Sequence, residues 1–246
     1  MTITVVTGFS PHGYNLYGWQ FLETFNNYWP EAVRLLVYTE EPIELERGEC
    51  RSLWDIPGCR DFIEKHKSNE RANGITNKKS YDYRYAAWKF CRQAFIPAHA
   101  ARGLSGLLIW LDGDVRTDSA VTEEQIIEIM HKTDVAYLGR KPFNSEIGFI
   151  GFRLPQAQSI LNLYAEVYRT EKVFDLPEWH SGFVFDYARE QYPAIWQKNI
   201  TNSNKVWERH VWPHSPLAKF STHLMGRNRK KKLGAERGVP DGELHL

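Results

Sequence analysis

The run Leu107-Leu108-Ile109-Trp110-Leu111 is unbroken in its apolarity and ends in Asp112-Gly113-Asp114. Its length and flanking glycines predict a central strand buried on both faces. Such a strand needs layers above and below it, which points to an α/β sheet covered by helices. It also delivers two carboxylates at its C-terminal end, the edge outside which open α/β sheets bind ligands. Two aspartates one residue apart can share a divalent cation, with Gly113 permitting close approach. Hard oxygen ligands suit Mg²⁺ or Mn²⁺, which bridges a diphosphate. Asp-x-Asp by itself is common, and an ordinary turn after a strand has the same composition.

The rest of the chain supplies the partners such a strand requires. Thr2 to Thr7 reads as a first strand ending at Gly8. Trp19, Phe21, Leu22 and Phe25 recur at helical spacing, and Pro30 closes that helix. Arg34 to Thr39 is a second strand, so the chain opens as a βαβ unit with a parallel sheet. Residues 43–80 are polar and irregular, and are expected to be an insertion of short helices and loops. Tyr83 to Ala101 predicts one long helix. Thr122 and Gln125 form a capping box, starting a helix. Asp134 to Gly139 and Ile147 to Phe152 predict strands. Pro155 suits a first helical position, followed by the stripe Ala157, Ile160, Leu161, Tyr164 and Val167. Another helix is expected around Phe183, Val184 and Tyr187. With 246 residues, 42% of them hydrophobic, one α/β domain over 1–246 has material for a real core, ending in a basic tail over 225–246.

Composition narrows the class further. A formal net charge of +1 gives no global field toward nucleic acid or membrane. No run reaches the ~18 apolar residues of a membrane span, and Met1 to Val6 reads as a strand rather than a leader, so a cytoplasmic protein is expected. Cys50, Cys59 and Cys91 lack metal-type spacing and read as reduced structural thiols. Arg227, Arg229, Lys230, Lys231 and Lys232 form a basic run, either a solvated tail or a phosphate holder.

A second constellation follows late in the chain, in His223-Leu224-Met225-Gly226-Arg227-Asn228-Arg229. His223 can complete a metal shell with Asp112 and Asp114. Gly226 lets backbone approach phosphate, and Arg229 offers a bidentate fork. Asp112-x-Asp114 with this His-x-x-Gly-x-x-Arg segment resembles glycosyltransferases of the GT-A fold. The late segment is similar to the His-x-x-Gly-x-x-Lys signature of the glycogenin-like family 8 group, with Arg229 in the lysine position. Glu146-Ile147-Gly148-Phe149-Ile150-Gly151-Phe152 and Glu178-Trp179-His180 resemble segments of bacterial and phage relatives of that fold.

That resemblance implies a Rossmann-like, mixed but mostly parallel sheet with flanking helices, and a nucleotide-sugar donor, most often UDP-linked. It places Thr7 and Gly8 under the nucleotide, Asp112, Asp114 and His223 on the metal, and Gly226 and Arg229 on the diphosphate, with Arg84 a further phosphate candidate. The relatives carry an aspartate after the Trp-His pair, where this chain has Ser181. An inverting enzyme then needs another base. Glu146, Glu178 and Asp186 are the available acids, and Glu146 is favoured because a charge entering an apolar strand needs a reason. His180 contacts donor or acceptor, or is structural. His210 and His214 read as structural, since Pro213 breaks any helix that would align them.

The acceptor is a carbohydrate or a hydroxymethylated pyrimidine in DNA, the latter using Lys78, Lys79 and the basic tail on phosphates. A metal-dependent nucleotidyltransferase or phosphohydrolase could use the same aspartates, but such sites need further carboxylates. A non-catalytic sugar- or nucleic-acid-binding module explains the aromatics and not the aspartates.

Overall fold

The computed structural model describes residues 1–75 and 80–225. The strand β1 (Ile3–Phe9) is followed by one turn of helix, α1 (Pro11–Gly13), a π-helical turn at Tyr14–Gly18 and α2 (Trp19–Tyr28). Ser10 caps this start, its Oγ accepting from the Gly13 N–H at 3.1 Å. Next come β2 (Arg34–Thr39), β3 (Glu49–Ser52), α3 (Cys59–His66), α4 (Ala87–Phe90), α5 (Arg92–Ala100) and β4 (Gly106–Leu111). The second half holds β5 (Val115–Thr117), α6 (Glu123–Ile129), β6 (Val135–Leu138), β7 (Glu146–Leu154), α7 (Gln158–Arg169), α8 (Ser181–Glu190), β8 (Gln197–Asn199) and β9 (Ser221–His223).

Seven strands form one sheet in the order β3-β2-β1-β4-β7-β6-β8. It is the mixed, mostly parallel α/β sheet expected, with β7 alone running antiparallel to its neighbours β4 and β6. The apolar run is its central strand. Leu107, Ile109 and Leu111 join a core with Ile3, Val5, Phe21, Phe25 and Ile126 on one face. Leu108 and Trp110 join Val6, Phe95, Ile150, Leu161 and Phe185 on the other. The period-2 alternation of a strand therefore feeds two cores, which is why every residue from Leu107 to Leu111 had to be apolar.

Several boundaries differ from expectation. The stretch 43–80 is not only loops and helices, for it contributes β3, the parallel edge strand beside β2. Its sequence Glu49-Cys50-Arg51-Ser52 is half-exposed and held by ion pairs of Glu49 with Arg34 and Arg51, so no apolar signal marks it. The helix over 83–101 begins later. Tyr83–Tyr85 is a separate 3₁₀ turn, and Ala86 leaves helical backbone at φ −90°, ψ 56°. The Arg84 carbonyl accepts from the Trp179 N–H at 2.7 Å. Helical backbone then runs through α4, Cys91 and α5. Pro155 lies in the turn before α7, where its carbonyl accepts from the Gln158 N–H at 3.0 Å, not at a first helical position. The Thr122–Gln125 capping box is present, opening α6. No helix among the described residues is long and apolar enough to cross a membrane.

Entry into the central strand depends on one glycine. Gly106 has φ +93°, and a Cβ there would clash with the Thr2 carbonyl oxygen. Gly106→Ala is expected to destabilise the protein by about 1–3 kcal/mol, the range for a side chain forced into left-handed backbone. Urea unfolding midpoints measure this. An unchanged midpoint would mean β1 and β4 slide apart freely.

Candidate metal and donor site

Three strands bring the candidate ligands to one edge. Asp112 follows β4 directly, and its N–H donates to the Gly148 carbonyl of β7 at 2.9 Å. Asp114 precedes β5, which pairs antiparallel with β9, Val115 opposite His223. The Leu224 N–H donates to the Asp114 carbonyl at 3.0 Å and extends that ladder. A two-stranded ribbon therefore sets His223 against Asp114, although 109 positions separate them in sequence (223 minus 114). Nε2 of His223 lies 3.0 Å from Oδ1 of Asp114. Single ligand atoms of Asp112, Asp114 and His223 all lie within 4.8 Å of one another.

The surrounding glycines give these groups room. A Cβ on Gly113 would stand 2.6 Å from a Phe9 ring carbon, and one on Gly148 would stand 2.7 Å from Nδ1 and Cε1 of His223. Asp112 is oriented by two donors, the Gly113 N–H to Oδ1 at 3.1 Å and the Gln93 amide to Oδ2 at 3.0 Å. The Ser181 hydroxyl in turn donates to Oε1 of Gln93. Position 181 is thus tied through Gln93 to a candidate metal ligand. Gln93 gave no signal in the sequence beyond a polar position in an apolar helix.

Glu146 stands at the start of β7, 2% exposed. Oε1 lies 2.9 Å from Nδ1 of His223, Oε2 accepts from the Val211 N–H at 3.0 Å, and Nδ1 of His210 lies 3.2 Å from Oε1. Burial opposes charge on both partners, yet the pairing prevails. The hydrogen bonds from His210 and His223 hold the Glu146 carboxyl down at about 2. The Asp114 and Glu146 carboxylates push His223 up to about 10 despite its burial. Ligand atoms of Glu146, His210 and His223 also lie within 4.8 Å of one another. His210 therefore joins the site's surroundings, which its sequence context did not signal.

The other expected residues form a second cluster. His180 caps α8, its Nδ1 accepting from the Gly182 N–H at 3.2 Å. Nε2 then carries the proton and donates to Oε2 of Glu178 at 3.0 Å. Burial holds the His180 imidazole below its ordinary value, against the pull of Glu178. Asn144 donates to the same Glu178 oxygen at 3.1 Å, and Arg84 reaches Oε1 at 3.8 Å while pairing with Asp82 at 2.7 Å. Asp186 accepts from the Ser145 N–H at 2.8 Å and hydroxyl at 2.6 Å and pairs with Arg189 at 2.7 Å, so it fastens the β6–β7 loop. A cavity of about 350 Å³ opens beside this loop, lined by Tyr137, Arg140, Phe143, Asn144, Phe183 and Tyr187 among others. Thr7 and Gly8 lie near the end of β1, in register with Val37 and Tyr38 of β2, with Thr7 wholly buried. Gly226, Arg229 and the rest of the basic run, with Lys78 and Lys79, lie outside the described residues.

No protein-family model matches the chain, and no curated protein does. Among solved structures it is similar to a glycosyltransferase involved in the glycosylation of the major capsid of PBCV-1. The likeness covers 98% of this chain and 100% of that one, at a TM-score of 0.56 and 13% sequence identity. At that identity the likeness concerns backbone arrangement, and the fold is α/β of the GT-A-like type.

Proposed function

We propose that the protein is a metal-dependent glycosyltransferase moving a sugar from a nucleotide-sugar, UDP-linked, to an acceptor hydroxyl. The observation that carries this is the convergence of Asp112, Asp114 and His223 at the carboxyl edge of the central strand of such a fold. Two carboxylates and an imidazole fit Mn²⁺ or Mg²⁺, and Gly148 lets the His223 ring pack where a side chain would displace it. A cation held there would offset charge on the diphosphate leaving group. Gln93 and the Gly113 N–H keep Asp112 aimed at that position. Thr7 and Gly8 at the end of β1 would underlie the nucleotide, with Gly226 and Arg229 on its phosphates.

The same edge continues past β7 to β6, where the 350 Å³ cavity has aromatic walls and polar ends, a setting for a carbohydrate acceptor. Glu146 is spent on two histidines and a backbone N–H. If the reaction inverts, Glu178 therefore suits the base better, with His180, Asn144 and Arg84 fixing its carboxylate. A two-metal nucleotidyltransferase or phosphohydrolase is less well supported. The two metal-capable groups among the described residues share His223, so they do not form two independent sites.

Mn²⁺ with a UDP-sugar should raise the melting temperature far more than either alone. Saturation a hundredfold above Kd corresponds to about 2.7 kcal/mol. Slow release of free sugar and UDP should accompany it. The proposal fails if no divalent cation makes any nucleotide-sugar stabilising. Mass spectrometry of oligosaccharide and hydroxymethylpyrimidine DNA acceptors then separates the two acceptor classes.

A further inference from the structure

We propose that Glu146 is a positioning residue for the cation site, orienting His223 so that Nε2 faces Asp112 and Asp114. This rests on the metal-site reading above and deepens it. A carboxylate buried to 2% exposure at the head of an apolar strand has a desolvation cost that its partners must offset. Those partners are the Val211 N–H, His210 and His223, all of them the protein's own.

The geometry leaves the imidazole one arrangement. Oε2 accepts from the Val211 N–H, and the imidazoles of His210 and His223 face the same carboxyl, so three donors surround it and favour a carboxylate that accepts on both oxygens. Nδ1 of His223, 2.9 Å from Oε1, must then carry a hydrogen. Nε2 faces Asp114 at 3.0 Å, so a cation held there would take the place of the proton on Nε2 and leave that on Nδ1. Packing holds the same pose. Gly148 allows the ring edge to sit where any side chain would displace it, and Trp212 lies against it at 5.2 Å between centroids. A carboxylate behind a ligating histidine fixes its tautomer and raises its basicity, and removing one typically weakens metal affinity about 10–100-fold.

The rival arrangement places an ion on Glu146, His210 and Nδ1 of His223, using the second group of close ligand atoms. Titration calorimetry with Mn²⁺ alone, without donor, decides between them. The wild type should bind one ion per chain, and Glu146→Gln should bind it about 10–100-fold more weakly. Nitrogen-15 spectra of the Mg²⁺-loaded wild type should show His223 protonated at Nδ1 and not at Nε2, a readout that needs no variant to fold. Wild-type affinity in folded Glu146→Gln, a second ion per chain, or a hydrogen on Nε2 would each overturn the inference. If the wild type binds one Mn²⁺ and the UDP-sugar while Glu146→Gln does so equally well, only this inference falls. If the wild type binds no divalent ion, the proposed function falls with it.

Discussion

Asp114→Asn should abolish the joint stabilisation by Mn²⁺ and UDP-sugar while leaving the fold in place. The side chain is 4% exposed and faces Nε2 of His223 at 3.0 Å, so its charge acts on that position and not on bulk water. The amide is nearly isosteric but neutral, and its NH₂ cannot ligate. The backbone of residue 114 keeps its own role, since the Leu224 N–H donates to its carbonyl whatever the side chain. The β5–β9 ribbon should therefore survive, and far-UV circular dichroism should match the wild type. Transfer should fall by about 10²–10³ or more, the loss seen when one preorganised electrostatic partner is removed. Calorimetry with Mn²⁺ and a coupled assay of UDP release read the two effects separately. Retention of the wild-type Mn²⁺ affinity would remove Asp114 from the site. Loss of the circular dichroism signal would make its role structural.

What the sequence showed of this site follows from which contacts are local. Asp112 and Asp114 were legible because their strand advertises itself: an apolar run bounded by glycine has few other fates. His223 was legible through a spaced pattern, yet its distance from Asp114 was not, because the short β5–β9 ladder has no strong strand signal of its own. Glu146 stands out in the sequence as a charge entering an apolar strand. Its expected role as a base did not anticipate His210 and Val211, which come from a 3₁₀-rich loop some 64 residues away. Gln93 and Ser181 join α5, α8 and Asp112 by hydrogen bonds 88 and 19 residues apart in sequence, and no local pattern encodes such a link. The fold was read more fully than the site. Two-sided burial constrains every residue of a central strand, while an edge strand such as β3 needs only backbone partners and ion pairs.

Trp110→Ala should have the opposite signature to Asp114→Asn, a large loss of stability with the cation site retained in whatever folds. Trp110 is 1% exposed in the middle of β4, among the largest side chains buried in the core. Truncation to alanine leaves a cavity between β4 and the helices on that face, at a cost of about 3–5 kcal/mol. The indole also does something an aliphatic side chain cannot. Its Nε1–H donates to the Ile147 carbonyl at 3.0 Å, tying the central strand to the residue beside Glu146. Trp110→Phe keeps most of the apolar volume but strands that buried carbonyl, so it should cost about 1–3 kcal/mol on its own. Urea unfolding gives both values. The difference between the two variants then separates packing from the hydrogen bond. Phenylalanine as damaging as alanine would assign the effect chiefly to the bond across β4 and β7. A phenylalanine variant as stable as the wild type would mean that Ile147 finds another donor, and that the start of β7 holds Glu146 in place without the indole.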